Sequence, residues 1–398
     1  MRDLSPSQPS DLPGPDPQAL SSSKHLRELL HDEIFCSGGA ISFERYMEQA
    51  LYASGLGYYR AGATRFGAAG DFSTAPEMTP LFSRALAGQI AEIMAAMGGG
   101  EVIEMGPGTG RLAADAIAEL ERLGWPPDRW RMLEVSGALR AEQERTLARF
   151  GDDVLARVEW LEELPTASAN SIWLANEVVD ALPVRRFIRV ANGIQELGVT
   201  SDGDNFAWTQ LTADEQLTAA VNSIETQVGE LPQGYVSEVC TRLPAFINGL
   251  SDSLQRGVML WIDYGYPRRE YYLPERGGGT LICHYRHRAH DNPFLYPGLQ
   301  DITAFVDFSA LAEAMQGAGL DLLGYAPQGP FLLGAGLAEL VRTDIESTDE
   351  RRRLATSQAI QRLTHPGDMG EKFKVMAAGR GYAGPLSGFS WVDRRHCL

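Results

Sequence analysis

From residue 101 onward the chain alternates short apolar strands with helical segments, and the first strand-to-helix junction is the glycine run Glu104-Met105-Gly106-Pro107-Gly108-Thr109-Gly110. Consecutive parallel strands need a crossover of a dozen or more residues, so this alternation points to a parallel sheet with helices on its faces. The spacing predicts strand 101–105 with helix 111–123, strand 130–135 with helix 138–149, a short strand near Val158, and strand 171–176. It continues with helix 242–254, strand 257–263, helix 308–317, strand 320–326, helices within 335–364 and a final strand 373–378. Together these make an α/β fold on a seven-stranded, mostly parallel sheet.

The remaining length decorates that sheet. Residues 1–20 hold five prolines and no apolar core, and read as a flexible arm. Helical spacing of Leu26, Leu29 and Leu30, then of Phe43, Tyr46, Met47 and Ala50, predicts a helical cap over 21–79, followed by a strong helix from Pro80 to Met97 that stops at three glycines. Asn192-Gly193 and Asp202-Gly203 are hairpin signals that mark an inserted β element within 187–241. The organisation is then core 80–186, the insertion, core strand 242–270, a lid segment 271–304, core 305–380 and a tail 381–398.

Glycines at a strand end let the backbone approach a ligand, and the following helix offers unpaired N–H groups. A phosphate-binding P-loop would require Lys after the last glycine, and none is present. A dinucleotide site would require glycine three residues after Gly108, where Arg111 stands. The G-x-G-x-G spacing of Gly106, Gly108 and Gly110, with Glu104 two residues before it, suits S-adenosylmethionine better than a pyrophosphate. Glu134 ends the second strand, where a carboxylate can accept hydrogen bonds from both ribose hydroxyls. Trp160 and Leu161 end the third strand and can supply an apolar wall and a backbone donor for adenine.

The fourth strand ends in Asn176-Glu177-Val178-Val179-Asp180. Ligands of open α/β sheets bind beyond the carboxyl ends of the strands, so these acids face the cofactor crevice, and Asp263 at the end of its own strand could join them. Methyl transfer from a sulfonium needs position, alignment and a dry site. A guanidinium acceptor is permanently cationic, and a paired carboxylate is what can orient its planar fork. Glu177 and Asp180 fit that role. His287 is a candidate for removing the released proton. The run Cys283-His284-x-x-His287-x-x-His290 carries metal-ligand residue types, but it sits in an irregular stretch and the chemistry needs no metal, so no metal site is assigned.

Along almost its whole length the chain resembles the MidA-type family of S-adenosylmethionine-dependent methyltransferases, whose mitochondrial members are complex I assembly factors that dimethylate an arginine of a core subunit. The ordered matches include Phe43-Glu44-Arg45-Tyr46-Met47, Gly70 to Glu77, the Gly106 turn, Glu134-Val135-Ser136 with Gln143, and Asn176-Glu177 through Asp180-Ala181-Leu182-Pro183. Ile262-Asp263-Tyr264-Gly265-Tyr266, Gly279-Thr280-Leu281, Asp301-Ile302-Thr303-Ala304 and Met369-Gly370 follow, covering about residues 40 to 380. The resemblance implies a class I, Rossmann-like methyltransferase core with S-adenosyl-L-methionine held by Gly106, Gly108, Gly110 and Glu134, with Val135 and Asn176 beside them. It also implies a loop carrying Phe72, Ser73 and Thr74 to the methionine end of the cofactor. The implied activity is methylation of an arginine in a protein, with a respiratory complex I subunit as a candidate partner, while a homodimer is an assembly the sequence leaves open. A small-molecule O- or N-methyltransferase and a cofactor-binding assembly chaperone remain alternatives, because a fold does not set its acceptor.

Composition narrows the partners. With 35 Lys+Arg against 52 Asp+Glu, the net charge of −17 argues against a protein that grips nucleic acid or an acidic lipid surface. No apolar run approaches the roughly 20 residues of a membrane span. Four scattered cysteines and an N-terminus without a targeting pattern suggest a bacterial cytoplasmic protein.

Overall fold

The computed structural model describes residues 12–60, 74–346 and 350–398. The chain divides into two compact units. One comprises Ser73–Val179, Pro244–Tyr266 and Phe308–Leu398; the other comprises Met1–Phe72, Asp180–Leu243 and Pro267–Asp307.

The first unit is the α/β one. Its strands, numbered within the unit, are β1 (Glu101–Met105), β2 (Trp130–Leu133), β3 (Val158–Leu161), β4 (Ser171–Asn176), β5 (Gly257–Tyr266), β6 (Asp321–Pro327) and β7 (Phe373–Arg380). They lie in the order β6-β7-β5-β4-β1-β2-β3. Pairing is parallel from β5 through β3, and antiparallel where β7 meets β5 and β6. The order reverses at β1, which leaves a crevice beyond the carboxyl ends of β1 and β4. β1 is buried at all five positions, as a central parallel strand covered on both faces must be.

The helices follow from their caps and apolar faces. Helix α1 (Pro80–Met97) starts with the Thr79 hydroxyl accepting Leu81 N–H and Pro80 in the first turn, and it ends on Gly98 in the left-handed region at φ 83°. Leu86, Ile90 and Ile93 of α1 join Val102, Ile117, Trp130, Ile172, Leu260 and Val375 in one core. Helix α2 (Arg111–Arg122) follows the glycine turn, and α3 (Gly137–Ala148) is capped by the Ser136 hydroxyl. The sequence placed the second strand to residue 135, but the ladder ends at Leu133 because the Glu134 carboxylate accepts the Ser136 N–H and turns the backbone into α3. β5 runs past the expected residue 263 to Tyr266, and its antiparallel pairing with β7 continues to Tyr264, two residues beyond the end of β4.

In the second unit, Arg185–Val190, Gly193–Asp202 and Asn205–Thr212 form the meander expected from the turn signals. Two strands absent from the sequence reading complete that sheet: Ala40–Ser42 pairs with Gly193–Asp202, and Val236–Val239 pairs with Arg185–Val190. Buried Arg185 donates to Glu196 and, at 2.8 Å, to both Asp214 carboxylate oxygens, so its guanidinium is not left unpaired in this sheet. Ile282–Tyr285, Arg288–His290 and Asp301–Thr303 form a separate three-stranded sheet. Leu26, Phe43, Tyr46, Leu51, Val199, Phe206 and Ile302 belong to the core of this unit. Among the described residues no helix is long and apolar enough to cross a membrane.

Candidate cofactor site at the strand ends

At the end of β1 the backbone makes three left-handed steps, with φ 60° at Gly106, 53° at Gly108 and 79° at Gly110. Such angles strain any residue with a Cβ, which is why glycine recurs at alternate positions. The turn closes with Gly110 N–H donating to Pro107 C=O at 2.9 Å, and among the described residues no side chain caps the first turn of α2. Its leading N–H groups therefore offer donors to an anionic or polar ligand. Thr109 donates its hydroxyl to Glu77, fixing the turn to the short helix Ala75–Met78.

Glu104 lies under this turn with 4% exposure, and Trp130 Nε1 donates to its carboxyl at 2.8 Å. Burial pushes its pKa up to about 8, against the opposing effect of the Trp130 bond. The structure therefore makes it a largely neutral acid at pH 7, engaged by the adjacent strand.

Glu134 follows β2 and is 8% exposed. Its Oε1 accepts Ser136 N–H at 2.7 Å and its Oε2 accepts Gln143 Nε2 at 3.2 Å. Val135 beside it is about half exposed. Trp160 and Leu161 are partly buried at the end of β3, and Leu161 C=O accepts Glu134 N–H at 2.9 Å. Glu134, Trp160 and the glycine turn are thus brought together through Gln143. The sequence reading assigned that residue no role. Its signal was a lone amide in the buried stripe Leu139, Gln143, Leu147 of α3.

The β4 end meets the same turn, since a Cβ on Gly106 would lie 3.1 Å from Val178 Cγ2. Glu177 adopts φ 55°, a left-handed conformation unusual for a side-chain-bearing residue. Its N–H donates to Ile262 C=O at 2.8 Å, and Val179 N–H donates to Asp263 Oδ2 at 3.0 Å. Asp263 Oδ1 accepts Tyr264 N–H at 2.9 Å, so this carboxylate, buried at 1% exposure, holds the Glu177 turn by backbone bonds. Asn176 donates to Glu177 Oε1 at 3.2 Å, while its own Oδ1 is buried without a hydrogen-bond partner among the described residues. A buried acceptor in that state is fitted to a donor from a ligand.

Thr74 stands at the start of helix Ala75–Met78, and its side chain makes no cap bond there. Phe72 and Ser73 lie outside the described residues. Asp180 and His287 belong to the second unit. Asp180 is buried at 4% exposure, and its C=O accepts Ala304 N–H at 3.0 Å. In the same unit the Tyr52 and Tyr59 hydroxyls are raised above their ordinary pKa by burial first, then by Asp301 and Asp180. His287 is exposed in a two-residue hairpin turn whose central residues, Arg286 and His287, both have positive φ. Among the described residues no group of three or more His, Cys, Asp or Glu side chains is placed to hold a metal ion.

Strand order, glycine turn and acidic β2 end together make the carboxyl ends of β1 and β2 the candidate cofactor site of a methyltransferase-type fold. A family model described as S-adenosyl-L-methionine-dependent methyltransferase matches residues 85–326, and the chain belongs to that family. A solved protein from Burkholderia thailandensis, bound to S-adenosyl-homocysteine, is 44% identical with a TM-score of 0.93, covering 98% of this chain and 100% of that one. A second structure from Burkholderia thailandensis, of a native crystal, is 43% identical with a TM-score of 0.90, again covering 98% and 100%. Among named relatives, "Protein arginine methyltransferase NDUFAF7, mitochondrial" of Danio rerio is 29% identical over 388 residues, 90% of this chain and 87% of its own length. The protein of the same name from Homo sapiens is 27% identical over 398 residues, 92% and 85% respectively. The protein is an S-adenosyl-L-methionine-dependent methyltransferase.

Proposed function

We propose that the enzyme transfers a methyl group to a guanidinium nitrogen of an arginine in a protein substrate. The observation that carries this reading is Glu177, a carboxylate at the end of β4 kept in a left-handed conformation by backbone bonds to β5. Backbone conformations of this kind cost about 1–3 kcal/mol and persist where the surrounding structure enforces them, commonly at functional positions. A carboxylate so fixed can receive two N–H groups of a guanidinium and draw its charge away from the attacking nitrogen. The names of the mitochondrial relatives point to the same acceptor.

In this reading the glycines 106, 108 and 110 and the start of α2 hold the polar end of the cofactor, Glu134 takes its ribose, and Trp160 and Leu161 flank adenine. Val135, Asn176 and Thr74 complete the contacts. Glu104 acts from below by supporting the turn. When bound, the cofactor supplies an electrophilic sulfonium methyl. Glu177 orients the acceptor; Asp180 and His287, proposed from the sequence as a second carboxylate and as the base for the released proton, belong to the other unit. We assign the second unit to recognition of the protein substrate, with a respiratory complex I subunit as the first candidate. The bacterial relatives and the four free cysteines favour a bacterial cytoplasmic setting.

The test is incubation with methyl-labelled cofactor and a bacterial lysate, followed by mass spectrometry, with Glu177→Gln as the paired variant. Label on arginine of a protein, lost in the variant, is expected. Label confined to small molecules overturns the arginine assignment. A variant with a bulky residue at Gly106 that loses cofactor binding yet keeps its cellular role would support the chaperone alternative.

A further inference from the structure

Gln143 sits in the middle of α3 with 0% exposure. Its amide meets three partners, each from a different strand end. Nε2 donates to Gly108 C=O at 2.9 Å in the turn after β1 and to Glu134 Oε2 at 3.2 Å after β2. Oε1 accepts Trp160 Nε1 at 2.8 Å from β3. Its aliphatic stem also sets the floor of the turn, since a Cβ on Gly110 would lie 3.3 Å from Gln143 Cα, Cβ and Cγ.

We propose that Gln143 is the positioning residue of the adenosine half of the cofactor site, a single amide that fixes the ribose-binding carboxylate, the adenine-flanking indole and the glycine turn relative to one another. The proposal rests on the reading that Glu134 binds the ribose. It concerns a residue that need not touch the cofactor.

The chemistry selects glutamine at this point. Two N–H donors and one acceptor in a plane match a carbonyl, a carboxylate and an indole N–H. Glutamate keeps the acceptor for Trp160 but turns an oxygen toward the Glu134 carboxylate and the Gly108 carbonyl. Asparagine is one methylene too short to reach all three. Methionine fills the volume but leaves three polar groups unmatched in a buried place. Polar networks of this kind hold their members only when every bond is made, so losing the hub should loosen Glu134 and Trp160 together.

The experiment uses the full chain with two ligands, S-adenosylhomocysteine and its 2′-deoxyribose analogue, titrated by calorimetry. Wild type is expected to bind the first at least tenfold more tightly. Gln143→Met is expected to weaken S-adenosylhomocysteine at least tenfold and the 2′-deoxy analogue by less, so that discrimination between them falls. Should Gln143→Met bind both ligands as wild type does, or lose affinity for both by the same factor, the positioning role is overturned while the ribose reading stands. If wild type itself fails to discriminate, the ribose reading falls and the proposal falls with it.

Gln143→Glu guards against a variant that simply folds poorly and adds a readout that a merely structural role would not move. Two facing carboxylates share a proton more readily as pH is lowered, so affinity in this variant should recover on going from pH 8 to pH 6. Glu104 titrates near the top of that window in wild type and variant alike, so the pH effect is read as the difference between the two. A variant with the same pH profile as wild type contradicts the assigned contact between positions 143 and 134.

Discussion

Helix α2 carries a glycine at each end with nearly the same backbone angle, φ 79° at Gly110 and 78° at Gly124. The two differ in their surroundings. Among the described residues a Cβ on Gly124 meets nothing within 4 Å, whereas one on Gly110 would lie 3.3 Å from three atoms of Gln143. Gly124→Ala should therefore show the backbone penalty alone, about 1–2 kcal/mol for a left-handed residue with a Cβ. Gly110→Ala should show the same penalty plus about 1–3 kcal/mol for crowding a packed site, and it displaces the residue that ties Glu134 to the turn. Urea denaturation gives the two stabilities, and calorimetry gives affinity for S-adenosylhomocysteine. Gly124→Ala should bind as wild type does. Gly110→Ala should bind at least tenfold more weakly, a loss of about 1.4 kcal/mol. Equal affinity in the two variants would refute the assignment of the glycine turn to the cofactor, because the strain is matched and only the site differs.

Other outcomes follow from single buried groups. The Glu104 carboxyl has an ordinary value of 4.5 and is raised to about 8, so the folded protein binds more protons than the unfolded chain between those pH values. The stability supplied by the neutral acid is thus fully present below about pH 4.5 and is lost as pH rises through 8. Glu104→Gln keeps an acceptor for Trp130 and removes the titration, so its stability relative to wild type should rise by about 1 kcal/mol per pH unit at the steepest. Urea melts at pH 5 and pH 8 check this, and a difference independent of pH contradicts it. Asp263→Asn turns one acceptor oxygen into a donor facing a backbone N–H, and should destabilise the protein by about 1–3 kcal/mol. In the lysate assay it should also lower methyl transfer while leaving affinity for S-adenosylhomocysteine within about threefold, since it acts on the Glu177 turn. Unchanged transfer would mean that the Glu177 conformation does not matter to the reaction.

The α/β unit was legible because its signals are local. A short buried strand, a glycine turn and an amphipathic helix each announce themselves within a dozen positions, and 101–122 appears in the structure as read. The strands Ala40–Ser42 and Val236–Val239 were not legible. Their partners are distant in sequence, Ile41 opposite Val199 and Arg185 opposite Val239, and three or four residues carry too little periodicity to reveal a pairing. At the candidate site, residue types alone were enough to propose Glu134 and Glu177, because a carboxylate at a strand end is a chemical signal. The support of those acids was hidden. Gln143 looks like an exception in an apolar stripe until its three partners are seen, and Asp263, read as a third acid facing the crevice, has both carboxylate oxygens on backbone N–H groups.

The most direct measurement is a crystal structure of this protein with S-adenosylhomocysteine. Both ribose hydroxyls should lie within hydrogen-bond distance of the Glu134 carboxylate, about 2.6–3.2 Å, with adenine beside Trp160 and the thioether on the Glu177 side of the glycine turn. A ribose held by other groups, or a cofactor bound away from the carboxyl ends of β1 and β2, would contradict the site described above.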